Sequence, residues 1–166
     1  MQSEAVNISV KQLNKTDFIQ QVENILKRTG VSPQDLELEI TESVLSNNRK
    51  IIIDILSDLK KIGASIAIDD FGKEYSSLSR LTKLPIDRIK MDMEFVHGIE
   101  KSEKEKAIAK VIINLAKNMN LKVIAEGVET KTQLDYLNTH KCDEIQGYYF
   151  YKPMPAEEIE KILFKS

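Results

Sequence analysis

Two adjacent aspartates, Asp69 and Asp70, follow an apolar run at residues 65–68. Isoleucines alternate with small residues in this run, which is typical of a strand that is buried on one face. Carboxylate oxygens at the end of such a strand are the ligands that Mg²⁺ and Mn²⁺ prefer in proteins. A pair of these ions is the usual means of hydrolysing phosphodiesters and phosphomonoesters. The aspartate pair therefore indicates metal-dependent hydrolysis.

Polar residues also stand near the ends of other strand-like segments. Alternate residues of a strand share a face, so the apolar positions of each segment oppose a polar set. The polar set is Asn7, Glu39, Asp69, Asp70, Lys90, Asp92, Glu126 and Gln146. Any single acid is more simply explained as a helix cap or a solvated charge, but the shared phase of the whole set favours a site. One amine does not balance five acids, and gathering unneutralised carboxylates is costly.

The segments that must position these residues alternate between strand-like and helix-like patterns. Strands are predicted at Val6–Val10, Leu36–Ile40, Ser65–Asp69, Arg88–Asp92, Lys122–Glu126 and Glu144–Phe150. Helices are predicted at Thr16–Thr29, Asn48–Ile62, Ser76–Leu81, Glu103–Met119, Lys131–Thr139 and Ala156–Phe164. This alternation predicts a parallel sheet of βα units, either an open doubly wound sheet or a barrel. A complete barrel has eight strands and about 250 residues, two units more than this chain.

Composition excludes several classes of function. The 166 residues are 42% hydrophobic, which suits one domain, and the net charge of −2 provides no footprint for DNA or RNA. No apolar run approaches the roughly 20 residues of a membrane span. One cysteine and the absence of a signal-peptide pattern favour the cytoplasm, either for the whole protein or for part of a larger sensor. The two histidines lack zinc spacing and are interpreted as surface residues, and Cys142 as a small buried hydrophobe.

Six motifs stand in order along nearly the whole chain. They are VNISVKQL, LELEITES, IAIDDFG with YSSL, LPIDRIKMD, VIAEGVET and CDEIQGYYFYKPMP. In these motifs, their order and their spacing the chain resembles EAL domains. EAL domains are bacterial signalling phosphodiesterases that cleave cyclic di-GMP to the linear dinucleotide, and their fold is a modified TIM barrel. The resemblance therefore implies that residues 1–166 form a single, incomplete domain, an α/β partial barrel with about six of eight βα units.

The resemblance also implies roles for particular residues. It implies two ions, Mg²⁺ or Mn²⁺, and in-line attack of water on one phosphodiester bond. The implied metal ligands are Asn7, Glu39, Asp69, Asp70 and Glu126. Lys90 and Gln146 join Glu126 as catalytic residues, with Lys90 positioning the water. Asp92, Glu42 and Glu129 are implied to support the site and its loops, and Glu42 to steady the loop after Asp70.

The chain departs from the family pattern in two places. The Glu-Ala-Leu strand is absent, so we expect one metal ligand to be missing and the barrel to have an uncovered seam. Lys73-Glu74 stands where the family has Thr-Gly, in a loop that helps to order the metal site. We accordingly expect little or no phosphodiesterase activity from this chain alone. The expected partners are cyclic di-GMP and either a second copy of the chain or a missing N-terminal segment with its sensor domain.

Two functions stay open at this point. The first is the family activity, metal-dependent hydrolysis of cyclic di-GMP. The second is a catalytically degenerate module that binds cyclic di-GMP or a protein partner without hydrolysis.

Overall fold

A computed structural model describes residues 4–46, 49–73 and 81–164. Six strands in these ranges form one parallel sheet whose spatial order follows the sequence. The strands are β1 (Glu4–Asn7), β2 (Leu36–Thr41), β3 (Ser65–Phe71), β4 (Arg88–Met91), β5 (Lys122–Ala125) and β6 (Glu144–Ile145). The sheet curls into half of a barrel, which confirms the predicted partial TIM-type architecture.

Helices cover the outer face of this half-barrel. The α-helices of the described residues are α1 (Val10–Leu13), α2 (Phe18–Thr29), α3 (Arg49–Ile62), α4 (Met93–Gly98), α5 (Glu103–Asn118), α6 (Lys131–Thr139) and α7 (Ala156–Leu163). Single 3₁₀ turns occupy Pro33–Asp35 and Glu42–Ser46. Helix α4 was not anticipated from the sequence. The predicted helix Ser76–Leu81 lies almost entirely outside the described residues, as does Glu74. None of the helices described is long and apolar enough to cross a membrane.

The hydrophobic core lies between the outer face of the sheet and the helices. Side chains alternate along a strand, so β2, β3 and β4 place their large apolar residues on that face and their charged residues inside the half-barrel. Ile124 of β5 is an apolar residue on the inner side. The buried outward residues include Leu38, Ile40, Ile66, Ile68, Ile89, Met91, Val123 and Ala125. Their inward neighbours Glu39, Lys90 and Arg88 are charged. The packing of the outer face thus fixes which side chains reach the interior.

The predicted strand Val6–Val10 is wrong at both ends. Strand β1 spans Glu4–Asn7, and the chain turns into α1 three residues later. Ser9 causes the turn: its hydroxyl accepts from the Gln12 N–H at 3.4 Å, and the Gln12 side chain accepts from the Ser9 N–H at 3.0 Å. This reciprocal capping box starts a helix where apolar alternation predicted a strand.

The predicted strand Glu144–Phe150 is also wrong, because β6 ends at Ile145. Beyond it, the Val128 N–H donates to the Gln146 carbonyl at 3.1 Å, and the Tyr149 N–H donates to the Val128 carbonyl at 2.8 Å. Gly147 lies directly against the Val128 backbone, where a β-carbon would overlap main-chain atoms. The segment therefore folds over the loop after β5 instead of extending the sheet.

The sheet has two open edges. Strands β1 and β6 each pair with one neighbour in the part of the chain that the structure describes. Large apolar side chains are exposed beyond β6, including Tyr151 at 61% and Phe164 at 73% of their full accessible surface. Unpaired edges and exposed apolar groups favour association with further polypeptide.

Asp87 lies directly before β4, at the amino ends of the strands, and it joins three elements. Its carboxylate accepts from Lys60 Nζ of α3 at 2.7 and 2.8 Å, and from the Ile66 N–H of β3 at 2.9 Å. Its backbone N–H donates to the Ile66 carbonyl and its carbonyl accepts from the Lys122 N–H. Asp87 therefore fixes the register at which β4 enters the sheet.

We expect Asp87→Ala to lower the free energy of unfolding by about 2 kcal/mol, because it leaves the Ile66 N–H without its acceptor. Urea denaturation at pH 7 measures the change. Asp58→Ala is the matched control, because Asp58 pairs with Lys61 on an exposed helical face at 2.8 Å. That control is expected to cost less than about 0.5 kcal/mol. Equal losses in the two variants would contradict the assigned role.

Candidate functional site

Lys90 lies at the centre of the predicted polar set, inside the half-barrel. Its ammonium group is 2.7 Å from Glu39 Oε1, 3.0 Å from Glu126 Oε1 and 3.1 Å from Asp69 Oδ1. Glu39 belongs to β2, Asp69 to β3 and Lys90 to β4, and Glu126 follows β5 directly. One nitrogen atom therefore gathers carboxylates from three other strands.

Burial and charge act against each other in this cluster. Burial disfavours the charged form of Lys90, whose side chain is only 9% exposed, but hydrogen bonds to Glu39 and Glu126 outweigh that cost and raise the lysine pKa. Burial raises the pKa of Glu126, and the neighbouring Lys90 opposes that rise. The ammonium group thus stays charged and holds the acids together.

A second ion-paired group lies beside the first. Lys73 Nζ is 2.8 Å from Asp70 Oδ1 and 2.8 Å from Asp92 Oδ2. The hydrogen bonds to Asp70 and Asp92 raise the pKa of Lys73. Burial would raise the pKa of Asp92, but the bonds from Lys73 and from the Glu94 N–H lower it. Asp92 also begins α4 by accepting from that N–H at 2.8 Å.

The other predicted site residues lie around these two groups. Asn7 stands opposite Glu39 in the register of β1 and β2. Gln146 lines a cavity of about 520 Å³ together with Glu39 and Lys90. Glu42 Oε2 accepts from the Gly72 N–H at 3.3 Å, at the loop after β3.

Glu129 is exposed, as are the predicted site residues Asn7 and Gln146. It lies in the loop after β5 with its side chain exposed. Its backbone N–H donates to Gln133 Oε1 at 2.9 Å.

A deeper charged layer was missed in the sequence. Arg88 Nε is 3.1 Å from Glu37 Oε2, and Arg88 Nη1 is 3.1 Å from Glu144 Oε2. The first contact is a close ionic approach without hydrogen-bond alignment, since Glu37 Oε2 has no hydrogen-bond partner. Burial raises the pKa of Glu37, and Arg88 opposes this. The sequence contains a signal for this layer. Glu37, Arg88 and Glu144 each stand two positions before a predicted site residue, and alternate residues of a strand share a face.

The donor set fits a divalent ion by its chemistry. Carboxylate oxygens of three acids lie within 3.1 Å of one cation, and hard oxygen ligands are those that Mg²⁺ and Mn²⁺ take. Among the described residues, however, no three acidic, histidine or cysteine side chains already surround a metal position. Lysine ammonium groups stand between the acids instead. A metal ion at these residues would therefore share them with Lys90 or Lys73.

The residues of other common chemistries have structural partners. His97 Nε2 is 3.1 Å from the Gly127 carbonyl, and His140 Nδ1 is 2.9 Å from the Tyr136 carbonyl. Cys142 Sγ donates to the Glu144 carbonyl at 3.4 Å, and burial raises the pKa of its thiol to about 11. These contacts leave the acidic cluster as the candidate centre in the described residues.

Fold and site together define an α/β protein of the partial TIM-barrel type, with an acidic centre at the carboxyl ends of its parallel strands. The chain belongs to the EAL-domain family, whose model matches residues 1–153. This confirms the resemblance found in the sequence.

Three known proteins illustrate the relationship. The cyclic di-GMP phosphodiesterase NbdA of Pseudomonas aeruginosa is 40% identical over 159 residues, which cover 96% of this chain and 20% of NbdA. The PaMucR phosphodiesterase in complex with cyclic di-GMP superposes with a TM-score of 0.89 at 38% identity, covering 95% of this chain and 64% of that one. Klebsiella pneumoniae BlrP1 with manganese and cyclic di-GMP has a TM-score of 0.81 at 30% identity, covering 88% and 38%. The chain thus spans about a fifth of the length of NbdA.

Replacing Lys90 by methionine removes the cation that Glu39, Asp69 and Glu126 share. We expect the free energy of unfolding to fall by about 3 kcal/mol at pH 7, because buried carboxylates are left unpaired. Urea denaturation should also show that acidification recovers part of the loss, since protonation relieves the repulsion. Lys122→Met is the control, because Lys122 is exposed and lies 4.0 Å from Glu144. Wild-type stability in Lys90→Met would contradict this account of the cluster.

Cys142 provides a test by pH. A thiol pKa of about 11 instead of 9.0 favours the protonated folded form, so stability should decline as pH rises from about 9 to 11. At pH 8 the thiolate fraction is about a hundredfold below that of an ordinary thiol. Iodoacetamide should therefore alkylate the native chain far more slowly than the urea-unfolded chain. Equal rates would show that the thiol is accessible and unperturbed.

Proposed function

We propose that this chain carries the site of a cyclic di-GMP phosphodiesterase that hydrolyses its substrate to the linear dinucleotide with the aid of divalent metal ions. The convergence of Glu39, Asp69 and Glu126 on Lys90, from four neighbouring strands, is the observation that carries this proposal. A packed interior without a ligand gains nothing from three partly buried acids. Anionic substrates, in turn, need cations to approach such acids.

The known proteins support the choice of substrate. NbdA is a cyclic di-GMP phosphodiesterase, and the PaMucR structure is a complex with cyclic di-GMP. The BlrP1 structure contains manganese together with the same nucleotide. Because this chain spans only a part of each of them, their activity and ligands come to it as proposals.

We assign roles in this proposal by position in the half-barrel. Asn7, Glu39, Asp69, Asp70 and Glu126 would hold two ions, Mg²⁺ or Mn²⁺. When bound, such ions activate water and shield the phosphate charge from the acids. The Lys90 ammonium donates to Glu39 and Glu126 and orients them, and in this proposal it would position the attacking water. Gln146 lines the 520 Å³ cavity, from whose wall its amide would contact the substrate.

Three further residues would support these groups in the proposed site. Asp92 accepts from Lys73 and begins α4, so it connects the site to the outer helices. Glu42 holds the Gly72 N–H and thereby the turn that carries Asp70. We retain Glu129 as an acid of the neighbouring loop.

Residues 1–166 would form one domain of this kind, with β1 and β6 as open edges. Either a second copy of the chain or a further segment of the protein, joined to a sensor domain, would cover those edges. The half-barrel leaves the site open on one side, and water exclusion strengthens the electrostatic interactions on which hydrolysis depends. We therefore expect the chain alone to be a weak catalyst.

One observation favours a second function. Lys90 is paired with Glu39, Asp69 and Glu126, and Lys73 is paired with Asp70 and Asp92. In the described part of the chain, no group of acids is already arranged around a metal ion. A module with its acids neutralised in this way could bind cyclic di-GMP or a protein partner without hydrolysing anything.

Incubation of the chain with cyclic di-GMP and Mn²⁺ tests the first function, with the linear product followed by chromatography. We expect product to form only in the presence of the metal, and far more slowly than with the PaMucR phosphodiesterase. Glu126→Gln should abolish the product, because Glu126 is both a proposed metal ligand and a partner of Lys90. Glu103→Gln is the control, since the Glu103 side chain is 89% exposed.

The outcome separates the two functions. Product that survives Glu126→Gln would refute the assigned site, and a rate equal to that of PaMucR would refute the expected weakness. If no product forms, calorimetry with cyclic di-GMP decides between the alternatives. Binding without hydrolysis would support the degenerate module, and loss of that binding with EDTA would show that metal mediates it.

A further inference from the structure

Lys73 brings a second positive charge into the site, in addition to that of Lys90. Its ammonium group bridges Asp70 and Asp92, at 2.8 Å from each. Asp92 is buried, whereas the Lys73 side chain is 46% exposed. The long side chain of Lys73 therefore extends from the surface and places its positive charge between Asp70 and Asp92.

The backbone of the turn after β3 directs Lys73 to this position. Asp70, inside β3, has a φ of +54° where the pairing with β4 shifts register between Ile68 and Phe71. Gly72, directly after the strand, has a φ of +103°. Gly72 packs against the Phe95 ring, where an added β-carbon would lie 2.6 Å from a ring carbon. Its N–H is held by Glu42 at 3.3 Å, and the Lys73 N–H donates to the Asp70 carbonyl at 3.4 Å. The lysine is therefore anchored next to Asp70 by several independent contacts.

We propose that Lys73 is an internal counter-ion that competes with a divalent metal ion for Asp70 and so lowers the metal affinity of the site. This inference rests on the proposed function insofar as Asp70 is taken as a metal ligand. It adds a residue that sets the metal concentration at which the site becomes occupied.

Electrostatics gives the reason for competition. Asp70 Oδ1 accepts a hydrogen bond from Lys73, and a divalent ion bound by the same carboxylate would lie close to the ammonium group and repel it. Binding of the ion must therefore displace Lys73 toward solvent. The exposure of Lys73 allows this displacement, whereas Lys90, at 9% exposure and with three acid partners, is held in place.

The test is a titration of the 166-residue chain with Mn²⁺, in which electron paramagnetic resonance measures the free ion at pH 7 and low ionic strength. We expect Lys73→Gln to bind Mn²⁺ about three- to tenfold more tightly than the wild type, since the exposed ion pair that it removes is of modest strength. Glutamine retains a hydrogen-bond donor for Asp92. Where binding is too weak for this method, the rise in Tm with added Mn²⁺ gives the same comparison.

Two control variants isolate the charge of Lys73. Lys73→Arg keeps the positive charge and should bind Mn²⁺ as weakly as the wild type. Lys61→Gln removes a matched pair, because Lys61 contacts Asp58 at 2.8 Å with the same spacing of three residues, on an exposed face of α3. That variant should leave Mn²⁺ binding unchanged.

The proposal is overturned if Lys73→Gln and the wild type bind Mn²⁺ equally, which includes the case in which neither binds it. It is also overturned if Lys73→Arg tightens binding as much as Lys73→Gln. The proposed function fails by a different result, namely a chain that binds Mn²⁺ and yields no linear dinucleotide. Because the titration contains no substrate, the two failures are distinguishable.

Discussion

The ammonium group of Lys90 is the interaction on which the arrangement of the site depends. It contacts Glu39, Asp69 and Glu126, so it joins the carboxyl ends of β2, β3, β4 and β5. Without a cation in this place, the mutual repulsion of the acids would separate the strands on which they stand. The curvature of the half-barrel and the charge balance of its interior are therefore linked, and any divalent ion must enter a centre that already contains cations.

The division of the molecule into a polar interior and an apolar outer face could be predicted from the sequence. Leu38 and Ile40 alternate with Glu37 and Glu39, and this period of two allows only one face to meet the helices. The same alternation predicted most of the site residues, because polar side chains occupy the inward positions of several strands. Glu37 and its partner Arg88 were not predicted, because they lie two positions deeper in their strands than the site residues Glu39 and Lys90.

Other features depend on contacts that no local pattern contains. The end of β6 is determined by Gly147 lying against Val128, a residue of the loop after β5. Likewise, Lys73 reaches Asp92 only because Gly72 packs on Phe95 of α4, a helix that apolar periodicity did not indicate. The departure from the family motif marked Lys73 as unusual, but its effect on the site depends on the geometry of the backbone that carries it.

On the basis of the family relationship and the positions of the carboxylates, we propose that the site is an acidic centre for divalent ions and a cyclic dinucleotide. Two lysines neutralise part of its negative charge: Lys90 is buried and fixed, and Lys73 is exposed and can be displaced. Anomalous X-ray diffraction from crystals of the chain grown with Mn²⁺ tests this account most directly. The account predicts manganese peaks within coordination distance of Asp69 and Glu126 carboxylate oxygens. Manganese bound only elsewhere, or none in crystals that contain millimolar Mn²⁺, would contradict it.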